Sequence, residues 1–201
     1  MNFLAHLYFS PPAGPAMIGS LMPDLVRGRL PDDLPAEVKQ AIATHRRIDR
    51  LTDAHPQFQA SCRRFLPACR RLAGIVTDVI YDHFLSVHWA AFHNQPRTAF
   101  IEEAYVHLGR SRHLAPEPMA AALGRMQEQD WLGAYVNDTG LRRIFGMMNH
   151  RLSVRLDRTI DIDGALDTLE QDRSALDREF LAFFTDLEHR LPSSATSTAH
   201  H

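Results

Sequence analysis

Aspartate and histidine residues recur at helical spacing in the first half of the chain. His45 and Asp49 lie four residues apart, as do Asp78 and Asp82, so each pair occupies one side of a helix. Several of these residues fall on otherwise apolar faces, and burying carboxylates together requires a countercharge. A divalent metal ion is a compact countercharge. Oxygen-rich ligation with one or two imidazoles suits Mn²⁺, Mg²⁺ or Fe²⁺ better than structural zinc, which favours thiolates.

The same spacing also admits an interpretation without a metal. Aspartate or histidine at i, i+4 commonly belongs to a solvated helix face or to an ion pair. Arg46, Arg47 and Arg50 lie beside the first pair and are able to neutralise the aspartates on their own. Spacing alone therefore leaves both interpretations open.

Helices must position these side chains, because apolar residues recur at helical spacing and strand-like alternation is hard to find. The pattern predicts an all-α protein with one helical domain over residues 1–191. The predicted helices span residues 1–10, 18–27, 36–53, 56–65, 69–92, 98–110, 116–129, 130–136, 139–150 and 161–190. The segment 192–201, rich in Ser, Thr and Ala, is predicted to be a flexible tail.

Size and composition describe an ordinary globular domain. The 201 residues are 45% hydrophobic and 23% charged, which argues against disorder, and the net charge of −2 does not favour nucleic-acid binding. Cys62 and Cys69 form neither a disulfide framework nor a zinc-ligand pattern. The N-terminus lacks the basic region of a signal peptide, and no apolar run is long enough for a membrane span. A cytoplasmic protein without nucleic-acid or membrane partners is therefore expected.

A series of short motifs in a fixed order adds a separate signal. The motifs are Asn2-Phe3-Leu4-Ala5-His6-Leu7, Gly19-Ser20-Leu21, Asp24-Leu25-Val26-Arg27-Gly28, His45-Arg46-Arg47-Ile48-Asp49, Thr52-Asp53, Asp78, Asp82-His83-Phe84-Leu85-Ser86 and His88-Trp89. In this combination the chain resembles the acyl carrier protein phosphodiesterases, a divergent branch of the HD-type metal phosphohydrolases. The resemblance extends from residue 1 to at least Trp131-Leu132 and Gly146-Met147.

The resemblance implies an HD-like helical fold and a hydrolytic activity. The reaction would cleave the phosphodiester between 4′-phosphopantetheine and a serine of holo acyl carrier protein, with Mn²⁺ as the activating ion. The contiguous His-Asp dipeptide that names the HD superfamily is absent, since His45 precedes Asp49 by four residues and Asp82-His83 is inverted. The ligands of ordinary HD enzymes therefore do not transfer position by position.

Within this interpretation, individual side chains receive expected roles. The expected metal ligands are Asp24, His45, Asp78 and Asp82, with Asp49 as a further ligand or an orienting residue. His83 or His6 would protonate the leaving serine oxygen, although His6 fits a buried, hydrogen-bonded histidine equally well. Arg27, Arg46 or Arg47 would bind the non-bridging phosphate oxygens.

Further arginines suit a protein partner, because acyl carrier proteins are strongly acidic and a basic surface would steer their association. The expected docking residues are Arg50, Arg63, Arg64, Arg70 and Arg71, beside Arg46 and Arg47. Arginine is nearly the only basic residue type in the chain, so composition alone also explains their number. Trp131, Met147 and Met148 fit either core packing or the lining of a pantetheine channel.

Two other functions stay open on the sequence alone. One is an HD-like phosphohydrolase that acts on a nucleotide or another small phosphate ester with the same metal. The other is a non-catalytic helical module that binds a carrier protein and uses its histidines and aspartates as a salt-bridged core. The sequence does not indicate an oligomeric state.

Overall fold

The computed structural model describes residues 1–157 and 159–191, so the predicted tail 192–201 lies outside the described residues. The described residues form helices and no β-strand. The α-helices are α1 (Phe3–Tyr8), α2 (Gly14–Leu25), α3 (Ala36–Ala54), α4 (Pro56–Cys69), α5 (Ala73–Val87), α6 (Trp89–Phe92), α7 (Arg97–Arg110), α8 (Glu117–Glu128), α9 (Asp138–Leu156) and α10 (Gly164–Arg190). Short 3-10 helices span Arg70–Leu72, Arg112–Leu114 and Gly133–Val136.

One hydrophobic core extends from Met1 to Leu191 and confirms the predicted all-α, single-domain fold class. Helix α2 packs against α3, and α4 packs against both α5 and α10. Phe180, Phe183 and Phe184 of α10 are fully buried, as a core-packing C-terminal helix requires. None of the described helices is both long and apolar enough to cross a lipid bilayer.

Prolines and helix ends account for the main differences from the predicted boundaries. Helix α2 begins at Gly14, earlier than predicted, because Pro15 lies in the first turn, where no intrahelical N–H is needed. Helix α4 continues through Pro67 to Cys69 and ends where Arg70 adopts a positive φ of 49°. The predicted long helix 69–92 is divided at His88, whose φ and ψ of −94° and 14° interrupt it between α5 and α6.

A close approach between α2 and α3 sets the position of the polar cluster described below. A Cβ atom on Gly19 would lie only 2.7 Å from the Cβ of Ala41, so a larger residue would separate the two helices. Glycine at this position brings the backbone of Ser20 next to the buried ring of His45. The Gly19-Ser20 motif therefore has a packing role.

Candidate metal centre

Helix α3 contributes a histidine and an aspartate one turn apart. His45 Nε2 lies 3.0 Å from Asp49 Oδ2, and His45 Nδ1 lies 2.7 Å from the carbonyl oxygen of Ser20. A carbonyl oxygen only accepts, so Nδ1 carries the hydrogen and Nε2 faces Asp49. A hydrogen bond of this kind fixes the tautomer and orientation of a histidine that binds a metal.

Helix α1 places His6 against this pair. His6 Nε2 lies 3.2 Å from Asp49 Oδ1, and its ring stacks on that of His45 with the centroids 3.8 Å apart. The residue is 1% exposed, and neither ring nitrogen has a hydrogen-bond partner of good geometry within residues 1–157 and 159–191. A buried polar group without a partner costs about 1–3 kcal/mol, so this arrangement favours a ligand at these nitrogens.

His6, His45 and Asp49 together form a candidate metal triad. One nitrogen from each histidine and one oxygen from the aspartate lie within 4.8 Å of one another. Two imidazoles and a carboxylate are donors that suit Mn²⁺ or Fe²⁺, so the residues fit a divalent cation. The sequence predicts a proton-donor role for His6, whereas the structure groups it with the candidate ligand atoms.

Asp24 and Asp78, two of the predicted ligands, border this triad. Asp24 Oδ1 lies 3.7 Å from His45 Nε2, while Asp78 Oδ1 lies 2.8 Å from the amino group of Met1. This ammonium is also 3.7 Å from Asp49 Oδ1. Burial lowers the pKa of the Met1 amino group, but the charges of Asp78 and Asp49 outweigh burial and raise it to about 10. Two carboxylates contact this ammonium and the third, Asp24, lies beside His45, so a divalent cation would improve the local charge balance.

Burial and ion pairing shift the ionisation of the triad. Burial lowers the pKa of His6 to about 3, so its ring is neutral and one of its two nitrogens offers a lone pair. Burial also lowers the pKa of His45, but the hydrogen bond to Asp49 and the charge of Asp24 outweigh burial and raise it. Burial opposes ionisation of Asp49, yet the hydrogen bond from His45 and the close approach of the His6 ring leave its pKa lowered. The pKa of Asp24 is raised to about 6, first of all by burial.

Asp82 has a different contact from the one expected of a metal ligand. Its Oδ2 and Oδ1 atoms accept hydrogen bonds from the backbone N–H groups of Leu4 and Ala5, at 2.8 and 3.2 Å. These donors belong to the first turn of α1, where no intrahelical acceptor exists. The buried carboxyl of Asp82 therefore anchors α1, which carries His6, to α5. We leave Asp82 out of the candidate ligand set for this reason.

The ring of His83 is held at both nitrogens. Nδ1 lies 2.8 Å from the carbonyl oxygen of Tyr135, and Nε2 lies 3.2 Å from the guanidinium of Arg173. Because an arginine only donates, Nε2 accepts and Nδ1 carries the hydrogen. Burial lowers the pKa of His83, which keeps the ring neutral. This geometry does not support the expected proton transfer from His83 to a serine oxygen.

The three arginines expected to bind phosphate lie at the surface. Arg27 is exposed in the segment after α2, and Arg46 borders a surface cavity that Lys39 also lines. The Arg47 guanidinium donates a hydrogen bond of 3.3 Å to the carbonyl oxygen of Arg190. Their role in phosphate binding stays a prediction.

The expected docking arginines divide into two groups. The exposed ones are Arg50, Arg63, Arg70 and Arg71. Arg64 instead pairs with Glu179 at 2.8 Å and with Asp172 at 3.3 Å, both on α10. Its charge is already compensated within the protein, so we withdraw Arg64 from the docking surface.

Two cavities lie close to the triad, one lined by His6 and His45 themselves and the other by the neighbouring Asp24 and Asp78. We name the smaller one, of about 230 Å³, the α9 cavity; its lining includes Asp24, Asp78, Trp131, Tyr135, Ile144, Met147, Met148 and Arg151. We name the larger one, of about 880 Å³, the α3 cavity; it lies between α1, α2 and α3, and its lining includes His6, Ser20, Gln40 and His45. Asp24 and Asp78 line only the first of these two cavities.

Two backbone groups of the site were missed by sequence reasoning, namely the amino group of Met1 and the carbonyl of Ser20. Backbone groups leave no side-chain pattern in a sequence. The Gly19-Ser20 pair offered an indirect signal, because a glycine inside an apolar helix often marks a close approach of two backbones.

Comparison with known proteins gives consistent matches over nearly the whole chain. The family model described as acyl carrier protein phosphodiesterase matches residues 1–187. The acyl carrier protein phosphodiesterase of Enterobacter sp. (strain 638) is 34% identical over 174 residues, which covers 85% of this chain and 90% of that protein. The protein of the same name from Photorhabdus laumondii subsp. laumondii is 32% identical over 189 residues, covering 92% and 91%. No solved structure matches the chain significantly.

Proposed function

The chain belongs to the acyl carrier protein phosphodiesterase family, an enzyme family, and we propose that it removes 4′-phosphopantetheine from the serine of holo acyl carrier protein. A water oxygen forms a bond to phosphorus, and the bond between phosphorus and the serine oxygen breaks. The serine oxygen takes a proton, so the products are apo carrier protein and free 4′-phosphopantetheine. Apo carrier protein is the form that lacks the arm used in fatty acid biosynthesis.

The observation that carries this proposal is the triad of His6, His45 and Asp49, in which both imidazoles are buried and the ring nitrogens of His6 have no hydrogen-bond partner among the described residues. These residues would hold a divalent cation, and Asp24 is near enough to His45 to serve as a further ligand. Two nitrogen donors favour Mn²⁺ or Fe²⁺ over Mg²⁺, which prefers oxygen ligands. We therefore propose Mn²⁺ as the cofactor.

The surrounding residues prepare this centre for phosphodiester hydrolysis. When bound, the cation lowers the pKa of a water molecule and offsets negative charge on the phosphoryl oxygens. The carbonyl of Ser20 orients the His45 ring, and Asp82 fixes the helix that carries His6. The proposed HD-like fold also requires helices that bring histidine and aspartate side chains together at one site.

The proposal includes an acidic protein partner and a cytoplasmic location. Arg50, Arg63, Arg70 and Arg71 are exposed and supply the basic surface that an acidic carrier would meet. Cys62 and Cys69 are free thiols, which suits a reducing compartment.

Mass spectrometry of the carrier protein tests the proposed reaction. Purified protein is incubated with holo carrier protein and Mn²⁺, and the carrier is expected to lose the mass of 4′-phosphopantetheine. A chelator should abolish the loss. An unchanged carrier together with cleavage of a generic aryl phosphodiester would contradict the proposal and favour a phosphohydrolase for small esters.

Calorimetric titration with Mn²⁺ tests the triad directly. We expect His6→Ala and His45→Ala to bind Mn²⁺ at least about tenfold more weakly than the unmodified protein, because each loses one ligand. His113→Ala, a change at an exposed histidine, is the matched control. Unchanged Mn²⁺ binding by His6→Ala would remove that residue from the ligand set.

A further inference from the structure

The α9 cavity meets the candidate triad on the side where the carboxylates lie. Asp24 lines this cavity, and its Oδ1 atom is 3.7 Å from His45 Nε2, the nitrogen that faces Asp49. The α3 cavity reaches His6 and His45 directly, but neither Asp24 nor Asp78 lines it, and its one arginine, Arg47, already donates to the carbonyl oxygen of Arg190. A substrate that reacts at the triad therefore has a cavity on each side of it, and the α9 cavity is the one beside the carboxylates.

Most of the wall of the α9 cavity is apolar and adaptable. Trp131, Ile144, Met147 and Met148 line it, and Met147 is only partly buried. The indole N–H of Trp131 already donates to Gln129 at 2.9 Å, so the ring needs no polar partner from a ligand. Methionine side chains are flexible and polarisable, and they adjust to irregular ligands.

One cationic side chain, Arg151 of α9, lines the same cavity. The residue is exposed, and it forms no ion pair with any residue in the described part of the chain. A guanidinium binds phosphate oxygens in a planar, two-pronged geometry. The cavity thus combines a cation for an anionic group with a soft apolar wall for an uncharged chain.

We propose that the α9 cavity binds the 4′-phosphopantetheine arm, with Arg151 on its phosphate oxygens and Trp131, Met147 and Met148 along the pantetheine chain. This inference rests on the proposed function and adds the residues that select the arm. The volume of about 230 Å³ lies below the range of about 300–1,000 Å³ typical of pockets that enclose a drug-sized ligand. A narrow chain that is only partly enclosed fits such a space.

Arg151→Gln tests the phosphate contact without relying on turnover. Calorimetry on the metal-free protein compares 4′-phosphopantetheine with pantetheine, which lacks the phosphate. We expect the substitution to weaken binding of 4′-phosphopantetheine about tenfold or more, as for loss of a charge-assisted contact, and to leave pantetheine binding within about twofold. Equal effects on both ligands, or no effect on either, would overturn the role of Arg151.

Met147→Trp and Gln40→Trp test which cavity receives the arm. Each change adds an indole at a partly or fully exposed position, the first in the α9 cavity and the second in the α3 cavity. We expect Met147→Trp to raise the KM for holo carrier protein about tenfold and Gln40→Trp to change it less than about twofold. The opposite order would place the arm in the α3 cavity. Circular dichroism spectra verify that both variants are folded.

The unmodified protein separates the two proposals. If it binds 4′-phosphopantetheine through Arg151 but leaves holo carrier protein intact, the proposed function fails while the binding site stands. The other outcome is that the unmodified protein removes the arm and that Met147→Trp and Arg151→Gln match it in KM and in ligand binding. In that case the α9 cavity is not the arm site.

Discussion

Replacing Asp82 by alanine tests whether the position of His6 depends on helix α5. The substitution removes the acceptors of two buried N–H groups, those of Leu4 and Ala5, which lie 2.8 and 3.2 Å from the carboxyl oxygens. Leaving a buried donor unpaired costs about 1–3 kcal/mol, so the two together should lower the free energy of unfolding by about 2–6 kcal/mol. That is a large share of the about 5–15 kcal/mol that stabilises a typical domain.

Urea denaturation followed by circular dichroism measures this loss. With a denaturant dependence of about 1–3 kcal/mol per molar urea, the midpoint should fall by about 1 M or more. Asp53→Ala is the matched control, because Asp53 is exposed near the end of α3 and its removal should change stability by less than about 0.5 kcal/mol. Mn²⁺ titration of Asp82→Ala under conditions where it is still folded should show weaker binding, because His6 is no longer held in place.

Equal urea midpoints for Asp82→Ala and Asp53→Ala would refute this reasoning. So would a destabilised Asp82→Ala protein whose Mn²⁺ affinity equals that of the unmodified protein. The first result would mean that water or another group satisfies the α1 donors. The second would mean that His6 is not a ligand or does not need this anchor.

Three further predictions concern pH, packing and docking. Because His6 stays neutral in the metal-free fold while an unfolded chain protonates it below pH 6.5, lowering the pH from 7 to 5 should cost about 2 kcal/mol through His6 alone. The raised pKa of His45 acts in the opposite direction, so the His6 part is measured as the difference in urea denaturation between the unmodified protein and a His6→Asn variant, and no difference would contradict it. Gly19→Ala should lower the melting temperature, because the added methyl group forces α2 away from α3. Gly74→Ala is the control: there is open space around a Cβ at this position, so the melting temperature should stay unchanged or rise. Equal effects of the two substitutions would contradict the packing role of Gly19. Arg63→Glu should weaken carrier binding in surface plasmon resonance more at low salt than at high salt, and more than Arg110→Glu on α7 does; a salt-independent effect would argue against steering.

Local periodicity predicts the parts of this molecule that depend on a single helix. The spacing of His45 and Asp49 places both on one face of α3, and the structure joins them at 3.0 Å. The all-α class follows from the same kind of pattern. The ends of α2 and α4 were harder to predict. Pro15 lies in the first turn of α2, where proline is tolerated, and α4 continues for two residues past Pro67.

The contact partners of the site residues depend on segments that are distant in sequence, so local patterns could not predict them. The i, i+4 spacing of Asp78 and Asp82 correctly places them on one side of α5. It does not predict which groups each carboxylate contacts. Asp78 faces the amino group of Met1, while Asp82 receives the N-terminal turn of α1. His6 joins the triad because of that second contact. Both depend on the packing of α1 against α5, which no local pattern encodes.

The brevity of α1 has a consequence for how the molecule matures. Six residues are far fewer than the about 12–15 that an isolated helix needs to persist in water, so α1 exists only while it is docked. Its anchor, Asp82, is translated long after His6. During synthesis His6 therefore lacks a stable conformation, and the triad forms only after α5 has been made and α1 has docked on it.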